Sequence, residues 1–400
     1  MTNPSGKTSA QVPTLGLICV GGCGTNNALE VLRELDPDKH GHLYILVCNT
    51  DHPQLEHHFA AQSGDAEDQK EKNLQKWLKR QTGESAQLSI LHLGESGMGA
   101  GGLPEVGEEV TRASIGTICE FLGKVKVVVI VGGAGKGSGS GGIPVIAQLA
   151  KDGGKSPLVI LTMPRAAEGG KRLKKAQQVR DKLNAICPTI VIYNENIPKE
   201  SLTLTYKEVW SEINLSCLLP MLLALQEIIL EVGDLNFDLN DYVAGLSEGN
   251  FAQFGRCDIT AEKGESLKSI AEQLLSNIYQ DHTIVNKARQ IFGWLHGKSW
   301  TVQEHDALVA CLREQMSKDI PEDEIEINFG IYQTVQDDKK WAAIVAVAKD
   351  PPADAVSPGA KHKVAVTGEI RIRAEGEEVQ EKIPLTTRMA AGLGFGKKAS

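Results

Sequence analysis

Seven glycines crowd the eleven residues 132–142 (GGAGKGSGSGG), directly after the apolar run 125–131. Glycine loses more conformational entropy on folding than any other residue, and a structural turn needs only one or two. So many are kept where backbone must pass close to something, and a strand–glycine–helix junction suits an oligophosphate. Lys136 is followed by Gly137, where a Walker loop requires Ser or Thr, so the segment is not that loop. Two more glycine-rich segments follow apolar runs. Gly21-Gly22-Cys23-Gly24-Thr25-Asn26-Asn27 comes after 15–20, and its Asn27 stands where a dinucleotide fingerprint needs a third Gly. Gly97-Met98-Gly99-Ala100-Gly101-Gly102-Leu103-Pro104-Glu105-Val106-Gly107 comes after 88–93, with Pro104 placed to begin a helix. The first of these, taken alone, reads equally well as a tight turn. Asn49-Thr50-Asp51, after the run 43–48, reads alone as a helix N-cap.

The apolar runs 15–20, 43–48, 88–93, 125–131, 158–163 and 189–193 alternate with helix-length segments. That alternation predicts an α/β fold, a doubly wound and mostly parallel sheet whose ligands lie beyond the strands' carboxyl ends. The expected layout is a disordered 1–12, a nucleotide domain 13–232 with a long central helix 212–232, a smaller α+β domain 233–350, and a linker and tail 351–400. Within the second domain, 241–320 reads as helical and polar, followed by strands 325–335 and 341–349 around the turn Gln336-Asp337-Asp338-Lys339. The tail has one alternating segment, 364–372.

A formal net charge of -9 excludes a global basic footprint for nucleic acid and leaves a local patch undecided. The eight cysteines are scattered, with no C-x-x-C pair, so neither a zinc site nor a disulfide framework is expected. With no apolar N-terminal leader, this reads as a cytoplasmic protein. Segment 215–230 is apolar nearly all round but holds Pro220, Gln226 and Glu227, so a buried core helix is expected rather than a membrane span.

Three such loops at successive strand ends resemble the FtsZ/tubulin superfamily of filament-forming GTPases. Gly135-Lys136-Gly137-Ser138-Gly139-Ser140-Gly141 is similar to the tubulin signature GGGTG[TS]G, with Lys136 in a Gly position. The loop 97–107, including Gly99, Ala100, Gly101, Gly102 and Pro104, resembles the FtsZ stretch GxGAGxxPExG. Residues Gly21, Gly22, Cys23, Gly24, Thr25 and Asn26 resemble the FtsZ glycine run followed by Asn. Asn49-Thr50-Asp51 matches its NTD. PRAAEGGKR at 164–172 is similar to P-F-x-F-E-G-x-x-R, which implies that Glu168 binds ribose and Arg172 contacts the nucleotide. The resemblance further implies that Asn194 lies near the guanine, Trp210 stacks on it and Asn214 reads it.

GDLNFDLND at 233–241 resembles the FtsZ synergy loop GxxNxDFAD. That implies a role for Asn236, Asp238 and Asp241 in the nucleotide site of the next subunit, where the carboxylates position and polarise the attacking water. The implied cofactors are GTP/GDP and Mg²⁺, and the implied partner is a second copy in a head-to-tail filament. The likeness is good over 14–255 and faint over 260–350. Lys136 departs from the signature, so its ammonium faces either the phosphates or the next subunit. Lys382-Ile383-Pro384-Leu385 is a weak echo of the family's partner-binding peptide, which leaves the tail as a candidate adaptor site. Cell division, cell shaping and plasmid or phage DNA positioning all use this fold. A nucleotide-binding scaffold with little turnover is the alternative from another class, and a dinucleotide oxidoreductase is disfavoured by the absent third Gly.

Overall fold

The computed structural model describes residues 14–60, 68–82, 86–197, 201, 203–230, 235, 237–259, 267–276, 279–280, 283–297, 300–316, 320–332 and 340–349. The N-terminal segment, the turn 336–339, the linker, the tail strand 364–372 and Lys382-Ile383-Pro384-Leu385 lie outside them. The strands are β1 (Leu15–Val20), β2 (Leu43–Asn49), β3 (Leu88–His92), β4 (Val127–Gly133), β5 (Pro157–Met163), β6 (Thr189–Tyr193), β7 (Phe251–Ile259), β8 (Ala288–His296), β9 (Glu326–Tyr332) and β10 (Lys340–Ala348). The helices are α1 (Gly21–Glu34), α2 (His52–Phe59), α3 (Gln69–Leu78), α4 (Pro104–Ala113), α5 (Ile115–Lys124), α6 (Ser138–Asp152), α7 (Gly170–Asn184), α8 (Tyr206–Leu230), α9 (Leu239–Leu246), α10 (Leu267–Leu275), α11 (Thr283–Asn286) and α12 (Val302–Gln315).

The strands form one sheet in the order β3-β2-β1-β4-β5-β6-β7-β10-β8-β9, parallel through its first six strands. The expected doubly wound sheet is therefore present. β1 is buried along its whole length because both faces are covered. Leu15, Leu17 and Cys19 join a core with α1, α3 and α8, whereas Ile18 and Val20 join a core with α5, α6 and α7. Strand order reverses beside β1, with β2 on one side and β4 on the other. The crevice beyond their carboxyl ends is the place for a ligand.

The second half departs from the expectation. Residues 241–320 include two strands, β7 and β8, besides helices. Their polar residues are buried with specific partners, which erases the apolar run that marks a strand. Gln253 Nε2 donates to Leu275 O at 2.8 Å, and Arg256 pairs with Asp258 at 2.7 Å while lying 4.4 Å over the Trp341 ring. β7 joins the first half through Thr189↔Phe251 and Ile190↔Ala252, and β10 pairs antiparallel with β7 and β8.

The central helix begins at Tyr206, not 212, because Thr205 and Glu208 cap each other: Thr205 N donates to Glu208 Oε2 at 2.8 Å, and Glu208 N to Thr205 Oγ1 at 3.3 Å. Its Leu218, Leu219, Met221, Leu222 and Leu225 are buried between the halves. It is apolar and long enough to cross a membrane by composition, but 76% of that stretch is buried inside the protein. Polar contacts fasten it, among them Ser211 Oγ donating to Glu30 Oε2 at 3.1 Å. Glu212 accepts from Tyr279 Oη at 3.1 Å, Gln226 Oε1 meets His40 Nδ1 at 2.6 Å, and Glu227 pairs with His296, which stacks on Trp341.

β7 and α10 touch at Gly255, where an added Cβ would lie 1.6 Å from Leu274 O. Backbone cannot retreat as a side-chain tip does. Gly255→Ala is therefore expected to destabilise by at least about 1–3 kcal/mol, read as a lower urea midpoint.

Candidate functional site

Two helices begin at the crevice without a side-chain cap. α1 starts directly after β1 with Val20 as its N-cap, and α6 starts after the β4 loop with Gly137; neither has an acidic residue in its first turn. By contrast Asp51, Asp68, Asp238 and Thr301 cap α2, α3, α9 and α12. The uncapped N–H groups and the dipoles of α1 and α6 thus favour an anion in the crevice between them.

The glycine segments pack too closely, within and between loops, to admit side chains. A Cβ on Gly139 would come 2.2 Å from Gly133 O, one on Gly107 2.4 Å from Gly137 O, and one on Gly137 2.5 Å from Ala100 Cβ. Gly135, at φ +92°, takes a conformation that side-chain-bearing residues avoid. Hydrogen bonds brace the assembly. Gly135 N donates to Ser140 Oγ at 2.8 Å, and the Thr50 and Ser138 hydroxyls meet at 2.6 Å. Asp51 and Met98 form a bridge in which His52 N donates to Gly97 O at 3.1 Å and Gly99 N to Thr50 O at 2.9 Å.

A cavity of about 410 Å³ lies among these loops. Of the residues singled out in the sequence, Gly21, Gly22, Cys23, Asn26, Asn49, Asp51, Gly99, Ala100 and Gly102 line it. So do Lys136, Gly137, Ser138, Gly139, Glu168, Arg172, Asn194 and Trp210. Arg172 pairs with Glu168 and keeps a buried Nε with no partner among the described residues. Asn194 Oδ1 is likewise buried and unmet. Trp210, 42% exposed, tilts against Tyr206 at 5.6 Å.

Other selected residues do not line the cavity, and packing explains where they are. Gly24 lets α1 approach Cys19 and Val131, and Gly141 lets α6 approach the Pro104 carbonyl at the start of α4. Thr25 is fully buried and donates to Gly21 O at 3.0 Å. Gly135 and Ser140 brace the loop as above, and Gly101 faces open space at φ +57°. Asn214 lies within α8, and Asn236 falls outside the described residues with Gly233 and Asp234. Asp238 and Asp241 are exposed and form a reciprocal cap on α9. Asp238 Oδ1 accepts from Asn240 N at 2.7 Å and Asp241 N at 2.8 Å, and Asp241 Oδ2 accepts from Asp238 N at 3.0 Å.

The sequence reading missed Gln54 and Thr162, which line the cavity. Gln54 sits three residues past the Asp51 cap, a spacing that brings it back toward the strand end; no glycine or charge pattern marks it.

Burial pushes the Cys23 thiol up, against smaller opposing effects from Thr162, Asn27 and the Lys136 charge. At pH 7.5 it is therefore protonated. Iodoacetamide is expected to label the exposed Cys119 first, with Cys23 labelling rising as pH increases, followed by peptide mass spectrometry.

Residues 14–200 match the Tubulin/FtsZ family, GTPase domain. The chain is 29% identical over 270 residues to the cell division protein FtsZ of Aquifex aeolicus, an alignment spanning 66% of this chain and 71% of that protein. Its fold is similar to that of the empty FtsZ dimer of M. jannaschii, with a TM-score of 0.64 at 21% identity over 85% of this chain and 89% of that one. It is similar also to CetZ2 of Haloferax volcanii, solved as a GTPγS-bound protofilament, with a TM-score of 0.63 at 17% identity over 85% of this chain and 94% of the other.

Proposed function

We propose that the chain is a member of the FtsZ/tubulin superfamily, through the GTPase-domain match at residues 14–200, and that it assembles head to tail and hydrolyses GTP where two copies meet. The observation that carries the reading is the pair of uncapped helix starts, α1 and α6, facing one cavity whose loops are held open by glycine contacts. Phosphoryl transfer needs positioning and charge management more than covalent chemistry, and backbone N–H groups with Lys136 and Arg172 supply both. Among the described residues no group of three or more His, Cys, Asp or Glu could hold a metal. That suits Mg²⁺, which binds through substrate phosphates, waters and one or two carboxylates. Asp51, at the cavity wall, fits as such a carboxylate. Bound there, the ion would neutralise charge on the phosphates.

Distance argues for the shared site. Trp210 is at the cavity and α8 continues to Leu230, roughly 30 Å further at 1.5 Å per residue. Asp238 and Asp241 follow that far end, so they serve another copy's nucleotide rather than their own. CetZ2, which shares the fold, forms a GTPγS-bound protofilament, and that is in keeping with head-to-tail assembly. Division, shaping and DNA positioning remain alternative uses of such a filament, with FtsZ relatives favouring division. The tail, as an adaptor site, belongs to the same proposal.

A second reading has one observation in its favour. Both carboxylates are engaged in capping α9, which fits a nucleotide-binding scaffold with little turnover. Asp241→Asn separates the two, because an amide oxygen still accepts from Asp238 N while the charge is lost. Turnover is expected to fall on the order of 10²-fold with the unfolding midpoint nearly unchanged. Wild-type turnover, measured against protein concentration, is expected to vanish below a critical concentration. Turnover linear in concentration from zero would remove the shared site.

The buried Asn194 acceptor suits guanine, whose N1–H and exocyclic amine are both donors. GTP is expected to outcompete ATP, and Asn194→Leu to narrow that preference on the order of tenfold in a competition titration.

A further inference from the structure

We propose that the outer face of α7 is a docking site for duplex nucleic acid, gripped through the phosphate backbone without regard to base sequence. Such docking needs neither GTP nor a second copy.

Charge is distributed very unevenly along the chain. Residues 120–184 hold twelve Lys or Arg against four Asp or Glu, in a chain whose formal net charge is -9. Lys136 and Arg172 belong to the cavity, but many of the others lie on the side of the sheet that α5, α6 and α7 cover. α7 turns Ala176, Val179 and Leu183 into that core. Lys171, Lys174 and Lys182 are left exposed, with Lys175 half-buried beside them, at helical spacings of three, four and seven. From Lys171 to Lys182 the row runs roughly 16 Å at 1.5 Å per residue. Lys151 extends it, because its Nζ donates to Ile186 O at 2.6 Å, just past the C-terminal end of α7. Lys155 lies further on, its Nζ donating to Val125 O at 2.6 Å. Burial and the neighbouring Lys126 charge hold the Lys155 ammonium below its ordinary value, so like charges crowd together here.

Little in the chain cancels this row. Lys171, Lys174 and Lys182 make no ion pair among the described residues. Lys175 donates to a neutral carbonyl, Gly102 O, at 2.6 Å, and its ammonium keeps two further donors. The acids of α6 and α7 are already engaged. Asp152 accepts from Gln148 Nε2 at 2.7 Å, and Asp181 pairs with Arg180 at 2.9 Å.

The kind of charge selects the partner. Lysine point charges position phosphates and read no bases. A protein interface centres on aromatic and arginine anchors, and a helix that lies on a membrane sets apolar side chains opposite its cations. The large exposed apolar residues among those described, Met98, Leu103, Tyr206, Trp210, Leu235 and Val302, all lie elsewhere. Duplex nucleic acid offers a charge every ~1.7 Å along its axis, a polyanion that matches the whole row.

The test is fluorescence anisotropy of a labelled duplex of arbitrary sequence with the full chain, from about 50 to 200 mM salt. If Lys151, Lys171, Lys174, Lys175 and Lys182 each neutralise one phosphate, log affinity falls against log salt with a slope of roughly −4.5. The dissociation constant at the low-salt end is expected on the order of 10⁻⁵ M. Replacing Lys174→Gln and Lys182→Gln together is expected to weaken binding and make the slope shallower by about 2. The same charge change on the other face of the sheet, Lys72→Gln with Lys79→Gln on α3, is expected to alter neither quantity. Urea midpoints of both variants are expected to match the wild type. A wild-type chain that binds no duplex, equal losses in the two variants, or binding to anionic phospholipid vesicles as tight as to the duplex at equal phosphate would each overturn the proposal.

Discussion

The backbone N–H groups at the starts of α1 and α6 point into one crevice, and no side chain among the described residues caps them. Much of the first half follows from that arrangement. β1 and β4 must be adjacent and parallel for the two helices to begin side by side. The β4 loop must then fold tightly on itself and against the β3 loop, which leaves no room for a Cβ at Gly139, beside Gly133, or at Gly137, beside Ala100. The third loop closes the crevice through the Asp51–Met98 bridge and through Ala100, which lies against Gly137. Charge follows the same logic. The cationic groups at the cavity, Lys136 and Arg172, add to what the helix dipoles begin.

The site and the exposed aspartates are separated by the whole of α8, so a single copy cannot complete its own chemistry under the proposed reading. The capping geometry of Asp238 and Asp241 bears on this in a specific way. Each carboxylate is oriented by backbone N–H groups before any neighbour arrives, so little side-chain entropy remains to be lost on docking. Capping and a role toward a neighbour's ligand are thus compatible, because a carboxylate oxygen has acceptor capacity beyond its bonds to the cap.

The first half was legible because it obeys simple rules. β1, β2, β4 and β5 are nearly continuous apolar runs, and glycines mark where each loop meets the ligand crevice. What escaped were strands whose identity depends on distant partners. β7 carries Gln253, Arg256 and Asp258, and β8 carries Arg289, Gln290 and His296, so neither reads as a strand until Leu275, Trp341 and Glu227 are in place around them. Tertiary contacts decided those segments, not local propensity. The glycine pattern also overstated the cavity wall. Gly24 and Gly141 are glycines for helix packing, and sequence alone does not distinguish a backbone that touches phosphate from one that touches another helix. Gln54 escaped for the opposite reason, since an isolated amide carries no pattern until Asn49 donates to it at 2.8 Å.

α8 has apolar residues on nearly all sides, so its greasy packing defines neither its rotation nor its axial seating sharply. Those are set by polar contacts such as the ones at Ser211, Glu212, Gln226 and Glu227. Gln226 and Glu227 are consecutive, yet one holds the strand-entry region at His40 and the other holds β8 at His296. The helix therefore behaves as a smooth shaft located by pins in two separate housings. Each pin contributes about 1 kcal/mol. Loss of one pin therefore leaves the helix held by the other, so its footing in each half is located separately.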